Sequence, residues 1–280
     1  FIIGMAVSIA IAYLAYKGHA LNKSGGIAAG ILGTIVFGLG GTGWAVILLT
    51  FFISSSLLSK LFKRKKNDLD PLFEKGSRRD GWQVAANGGI SGLLTLLYVI
   101  IFRINPEAES LNLLWLGFAA SLAGANADTW GTEIGVLNRV QPVLLTTLRR
   151  VPKGTSGGVS WVGTLAALSG AALVGGVSVL VDYLGWAPAN AIPLGVQFLI
   201  ITIGGFVGAL VDSLLGATGQ CIYYCPTCKK ETEKHPTHTC GTSTTLMRGV
   251  RWLNNDWVNG FCTMSAGILG IVLGIVLGKF

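Results

Sequence analysis

The chain has 280 residues, of which 51% are hydrophobic and only 12% charged, with 40 glycines and a net charge of +8; its mean hydropathy is +0.61. Soluble domains carry about 25% charged residues, so this composition excludes a water-soluble domain and points to a polytopic membrane protein. In that setting a basic excess is what membrane topology requires, and no nucleic-acid partner is expected.

A transmembrane helix needs roughly 20 mostly apolar residues. Eight runs qualify in chain order, at 1–17, 25–41, 43–59, 83–103, 111–127, 158–181, 192–215 and 257–278. They predict an all-α fold, a polytopic membrane helix bundle of about eight transmembrane helices forming a single domain over 1–280. A small cytoplasmic Cys/His insert at 221–241 separates spans seven and eight. Residue 1 is apolar and not Met, and no signal-peptide cleavage pattern follows, so the first run reads as retained. Between the second and third runs, Gly40-Gly41-Thr42-Gly43 leaves a very tight turn.

Lys and Arg concentrate in short cytoplasmic loops. With eight spans, every basic residue except Arg103 and Lys279 falls on one side. The loops at 17–24, 60–82, 128–157 and 216–256 then face the cytoplasm, and both termini lie outside it. The basic run at 63–66 is explained by this rule alone, although it could also attract anionic headgroups or a nucleotide.

Unusual polar residues cluster in the same loops, so any chemistry is cytoplasmic. Arg78 and Arg79 stand where the second of these loops re-enters the membrane, beside Asn87-Gly88-Gly89. Asp128-Thr129-Trp130-Gly131-Thr132-Glu133 follows the apolar run of span five, where a charge costs several kcal/mol unless paired or metal-bound. After Arg150, the glycine-rich loop at 152–160 enters span six. Lys153, Gly154, Thr155, Ser156, Gly157 and Gly158 could bind an anion through backbone N–H groups and a helix N-terminus; ordinary helix capping is the alternative. It is not a Walker A sequence, since its Lys precedes the glycines.

Asp212 sits inside span seven beside small residues that permit close packing, and could serve only an interhelical hydrogen bond. Oxygen-rich clusters of this kind suit Mg²⁺ together with substrate phosphates. In the insert, Cys225, Cys228, His238 and Cys240 have zinc-knuckle spacing, with His235 competing for the histidine place. A cytoplasmic loop argues against disulfides. Four filled positions would make the zinc structural, and Cys262 reads as a small buried side chain. Before the last span, Asn255, Asp256 and Asn259 add oxygen donors, or Asn255 or Asp256 caps the helix.

The 128–133 segment, the 152–160 loop, Asp212-Ser213-Leu214-Leu215-Gly216-Ala217 and Asn255-Asp256-Trp257-Val258-Asn259 together resemble the integral membrane family of transmembrane protein 19 and the chloroplast phytyl-phosphate kinase, the domain of unknown function 92 type. Asn22-Lys23-Ser24-Gly25-Gly26 and the segment at 81–89 are similar to the family too. The Cys/His insert resembles that of prokaryotic members and is absent from animal ones. Catalysis is therefore not expected to depend on the insert, and the location is expected to be a prokaryotic plasma membrane.

That resemblance implies phosphorylation of an isoprenoid monophosphate, such as phytyl or geranylgeranyl phosphate, to the diphosphate. The donor would be a nucleoside triphosphate, CTP foremost, with Mg²⁺. Asp128, Asp212 and Asp256 would hold Mg²⁺, with Glu133 as a ligand or the partner of one and Asn255 or Asn259 orienting a water. Lys153 and the loop at 154–158 would hold donor phosphates, while Arg79, Arg150 and Lys23 are the candidates to neutralise the acceptor phosphate. Two rivals use similar parts: a cytidylyltransferase that forms a CDP-lipid, and an ion-coupled transporter or lipid flippase.

Overall fold

The computed structural model describes residues 1–66, 78–188 and 192–278. Lys75, Lys279 and the side chains of the basic run at 63–66 lie outside the described residues. All eight predicted runs form helices: α1 (Ile2–Lys17), α2 (Lys23–Gly33), α3 (Thr42–Lys66), α4 (Gly81–Ile104), α5 (Ser110–Gly135), α6 (Trp161–Tyr183), α7 (Leu194–Thr218) and α8 (Asn255–Leu277). A π-helical stretch, Thr34–Gly40, prolongs α2, and Gly41 at φ +96° makes the predicted tight turn into α3.

By length and composition, six helices among the described residues are able to cross a membrane: α2 with its extension, α3, α4, α6, α7 and α8. Helix α1 is apolar but has 16 residues. Helix α5 differs for another reason, since it is the centre of the bundle. It packs on α3, α4, α6, α7 and α8, and every residue from Leu114 through Ala127 is buried. A helix surrounded by protein does not need the hydropathy of one facing lipid.

Small residues let the backbones approach that centre. Gly204, Gly205 and Gly208 of α7 face Ala120, Ala123 and Ala266, while Gly267 and Gly270 of α8 lie against Gly117 and Ala120 of α5. Asn126 of α5 donates to the Gly170 carbonyl of α6 and accepts from Ser54 of α3, both at 2.8 Å. This pins three helices together just below the acidic segment. Nearer the other end of α5, Trp44, Tyr98, Trp115 and Phe118 form an aromatic cluster with centroids 4.3–5.1 Å apart around Trp44.

Two boundaries correct the sequence reading: α3 runs on to Lys66, so the first residues of the predicted 60–82 loop are helical, and α5 also outlasts its apolar run. The acidic segment at 128–133 is not in a loop, because α5 continues to Gly135. Apolarity stops at 127 while helical hydrogen bonding does not; Thr129 Oγ1 even donates back to the Ala125 carbonyl at 2.9 Å. At the same end of the bundle, β1 (Val143–Leu144) pairs with β2 (Gly158–Val159). The Cys/His insert and the residues just after it form a three-stranded antiparallel sheet in the order β4 (Lys230–Thr232), β3 (Ile222–Cys225), β5 (Thr245–Arg248), the last strand lying beyond the predicted 221–241 bounds.

Candidate functional site

A cavity of about 350 Å³ opens at that end, between the C-terminal parts of α3, α5 and α7 and the N-terminal turns of α4, α6 and α8. The helix polarity divides its chemistry. Backbone N–H groups at the starts of α4, α6 and α8 favour anions, and the carbonyl ends of α5 and α7 favour cations. Yet those carbonyl ends carry Asp128, Glu133 and Asp212, all lining the cavity. Acids at helix C-termini are unfavourable unless a cation joins them.

Asp212 makes the demand sharpest. Its Oδ2 is enclosed and has no hydrogen-bond partner among the described residues, while the charges of Asp128 and Glu233 act on it. A desolvated carboxylate oxygen near two further carboxylates fits a hard dication with oxygen ligands. Cys262 is buried near the same pair, at 1% exposure, as a small core side chain. Glu133 is also buried, at 8% exposure, but accepts from Ser59 Oγ at 2.8 Å.

The glycine-rich loop forms the facing wall: Lys153, Gly154, Thr155, Ser156, Gly157 and Gly158 all line the cavity. It packs on the end of α7 so closely that a β-carbon at Gly157, which has φ +78°, would collide with the Ala217 backbone. Ser160 caps α6 by accepting from the Gly163 N–H at 3.1 Å. Capping and cavity lining therefore coincide in this loop rather than compete. At α8 the cap is Asn254, accepting from Trp257 N–H at 3.2 Å, not Asn255 or Asp256. That leaves Asn255 and Asn259 in the cavity wall; Asp256 is on the same first turn but is not a lining residue.

Of the three candidate cations, only Arg79 lines the cavity; Lys23 and Arg150 are exposed and do not. Arg79 Nη2 donates to Ser55 Oγ at 3.0 Å, and its guanidinium lies 5.4 Å from the centre of the Phe51 ring. Burial lowers its pKa to about 10, and the neighbouring Glu133 charge opposes that drop. The backbone of Arg79 is held by the 22–26 segment: Asn22 N–H donates to the Arg79 carbonyl at 3.0 Å, and a β-carbon at Gly25 would strike that same oxygen. Lys23 thus belongs to a motif whose observed contacts place an arginine. Asp80 and Gln83 then form a capping box that starts α4.

A second, apolar cleft of about 80 Å³ runs between α1, α2, α3 and α4, lined by Ile11, Ala29, Leu32, Phe37, Leu48, Phe52 and neighbours. Arg79, Gln83 and Asn87 line both this cleft and the polar cavity. The two spaces meet at an arginine.

In the insert, ligand atoms of Cys225, Cys228, His238 and Cys240 all lie within 4.8 Å of one another. His235 stacks on Tyr223 instead, with centroids 4.3 Å apart. Hydrogen bonds with Thr242 and then His238 pull the Cys240 thiol down to about 5, while its bond with Cys240 pushes Cys228 up to about 11. The set offers the thiolate and imidazole donors that zinc takes.

Gln83 and Asn87, from the segment singled out beside Arg79, line the cavity, whereas sequence reasoning missed Ser59 and Glu233 in its wall. It also missed Gln220 and Arg248, which brace the glycine-rich loop. Ser59, Gln220 and Arg248 act across long sequence separations, and Glu233 was hidden in a run of Lys and Thr, so no local pattern marked them.

A helical bundle with an apolar exterior and a polar cavity at one end defines an integral membrane protein. The sequence signature described as integral membrane protein DUF92 matches residues 6–267. The chain belongs to that family, as its motifs implied. Protein PGR of Arabidopsis thaliana is 34% identical over 267 residues, covering 92% of this chain and 90% of the relative. An uncharacterised membrane protein of Methanocaldococcus jannaschii is 29% identical over 273 residues, covering 97% and 93%. The chloroplastic Protein VTE6 of Arabidopsis thaliana is 25% identical over 253 residues, covering 90% of this chain and 65% of the relative. No solved structure matches the chain.

Proposed function

We propose that this protein is a membrane-embedded phosphotransferase that converts an isoprenoid monophosphate to its diphosphate with a nucleoside triphosphate. The observation that supports this best is the junction at Arg79. A cavity with acids, a glycine-rich loop and three helix N-termini shares Arg79, Gln83 and Asn87 there with an apolar cleft. A substrate with an anionic head and a hydrocarbon tail suits both spaces at once. The family resemblance supports the phytyl or geranylgeranyl class of substrate, and CTP as donor.

The acceptor phosphate oxygen attacks the terminal phosphorus of the donor, the bond from that phosphorus to the bridging oxygen breaks, and the nucleoside diphosphate leaves. The attacking oxygen is already anionic, so no strong base is needed, and positioning with charge neutralisation does most of the work. Arg79 holds the acceptor head at the mouth of the cleft. Lys153, the loop at 154–158 and the start of α6 hold the donor phosphates. Asp128 and Asp212 would hold Mg²⁺, which neutralises phosphate charge. Asn255 and Asn259 face the donor from α8.

The positive-inside rule supports a cytoplasmic cavity with both termini outside, and the prokaryotic relatives are consistent with a plasma membrane. Placement of the polar groups at one end weighs against a transporter, whose sites lie near the bilayer midplane. The test is incubation of the detergent-purified protein with a panel of isoprenyl phosphates, Mg²⁺ and each nucleoside triphosphate, followed by mass analysis. Prenyl diphosphate plus nucleoside diphosphate is expected. A CDP-lipid with released pyrophosphate would mean a cytidylyltransferase, and the kinase reading would be wrong.

A further inference from the structure

The Cys/His sheet is wired to the cavity at both of its outer margins. Glu233 directly follows β4 and lines the cavity, where its charge acts on Asp212. Gln220, two positions before β3, donates Nε2 to Glu233 Oε1 at 2.8 Å and accepts from Ser156 Oγ of the glycine-rich loop. Arg248 at the end of β5 donates to the Gly216 carbonyl at 2.9 Å and to the Ser156 carbonyl at 3.3 Å. One small sheet therefore holds an acid of the cavity, the loop opposite it and the end of α7.

The sheet itself has little to keep it rigid, with strands of three or four residues. What joins its far end is the cluster. Cys225 closes β3, and its Sγ is 3.5 Å from Cys240 Sγ, which is 3.2 Å from His238 Nδ1. In a tetrahedral site with bonds near 2.3 Å, ligand sulfurs sit about 3.8 Å apart. The observed spacing is already close to that.

We infer that Cys225, Cys228, His238 and Cys240 take one zinc ion, and that this ion fixes the sheet so that Glu233 and Gln220 set the metal-binding carboxylates and Ser156 in place. Glu233 is a positioning residue of the cavity, and zinc occupancy couples to cation binding at Asp128 and Asp212. The second half of this inference rests on the proposed reading of those two aspartates; the first half does not. It departs from the expectation that catalysis is independent of the insert.

The experiment uses the full chain in detergent, purified without chelator. Elemental analysis should find about one zinc per chain, as a closed four-ligand site holds a single ion. Mn²⁺ serves as the probe of the aspartates, its binding followed by electron paramagnetic resonance. Stripping zinc with a soft chelator should weaken Mn²⁺ binding about 10- to 100-fold, the scale of losing a group that orients metal ligands, and added zinc should restore it. Glu233→Gln should weaken Mn²⁺ to the same degree with zinc still bound, while Glu233→Asp should recover part of the loss. Cys225→Ser should lose zinc and weaken Mn²⁺ to the same degree, and if that variant does not fold the chelation arm carries the same test. Protein that neither contains nor takes up zinc overturns the inference, as does Mn²⁺ binding that is absent or indifferent to both zinc and Glu233. Failure to form prenyl diphosphate while the zinc and Mn²⁺ results hold would sink only the proposed reaction.

Discussion

Ser59 Oγ donates to Glu133 Oε1 at 2.8 Å across 74 positions of sequence. Five residues along a helix turn a side chain by about 140°, so Glu133 and Asp128 leave α5 in different directions. Asp128 belongs with Asp212, whereas Glu133 belongs with Ser59 and the Arg79 guanidinium. The two acids of one short segment thus keep different company in the cavity, and in the proposed reaction they take different parts. Glu133→Gln should loosen Arg79 and raise KM for the prenyl phosphate by roughly 10- to 150-fold, the equivalent of a charged hydrogen-bond interaction worth about 1.5–3 kcal/mol. Its Mg²⁺ dependence should stay that of the wild type. Steady-state kinetics with acceptor and Mg²⁺ varied in turn separate the two, and a parallel shift in Mg²⁺ dependence would contradict this division.

Asp212→Asn should act oppositely on stability and on activity. Its Oδ2 is enclosed without a hydrogen-bond partner among the described residues, and removing a desolvated charge beside other carboxylates relieves the folded state. The variant should melt at a higher temperature than the wild type in chelator and gain nothing from added Mg²⁺. Turnover should fall by about 10²- to 10³-fold, the usual scale for losing one electrostatic contact to the transition state. A variant that melts lower than the wild type without Mg²⁺, yet still gains from Mg²⁺, would show that Asp212 is a structural hydrogen-bonding residue.

Much of this was legible in the sequence because lipid imposes a strong pattern. Eight apolar runs marked the starts of eight helices to within a few residues, though not the ends of α3 and α5, and Asp128, Asp212 and Lys153 stood out as charges near their margins. The end of α5 was misplaced because apolarity marks where a helix leaves hydrocarbon, not where its hydrogen bonds stop. The choice among Arg79, Arg150 and Lys23 could not be read locally either. Arg79 alone of the three lines the cavity, where a bridge joins it to Leu21, two segments that meet only in the folded state.

Gly157→Ala tests the loop. Its φ of +78° is a left-handed conformation, and its neighbour is backbone of α7 that cannot swing aside. The conformation alone costs an L-residue about 1–2 kcal/mol, and the collision forces the loop off α7. Nucleotide KM should rise by tenfold or more, an order-of-magnitude expectation from that cost, while acceptor KM stays near the wild-type value. Equal effects on both substrates would show that the loop does not hold the donor.

The apolar cleft makes the most selective prediction. Ala29 is a half-buried lining residue on α2, so Ala29→Trp fills the cleft without removing any polar contact near Arg79. An acceptor whose tail lies there loses the burial of several methylenes, each worth about 0.8 kcal/mol. A short prenyl phosphate, which needs only the cavity and Arg79, loses none of it. The variant should therefore raise KM for geranylgeranyl phosphate by roughly an order of magnitude or more, as two such methylenes already imply, and leave a five-carbon prenyl phosphate unaffected. A melting curve matching the wild type rules out a general loss of fold. If both chain lengths suffer alike, the tail does not enter between α1, α2, α3 and α4, and the link between cleft and substrate fails.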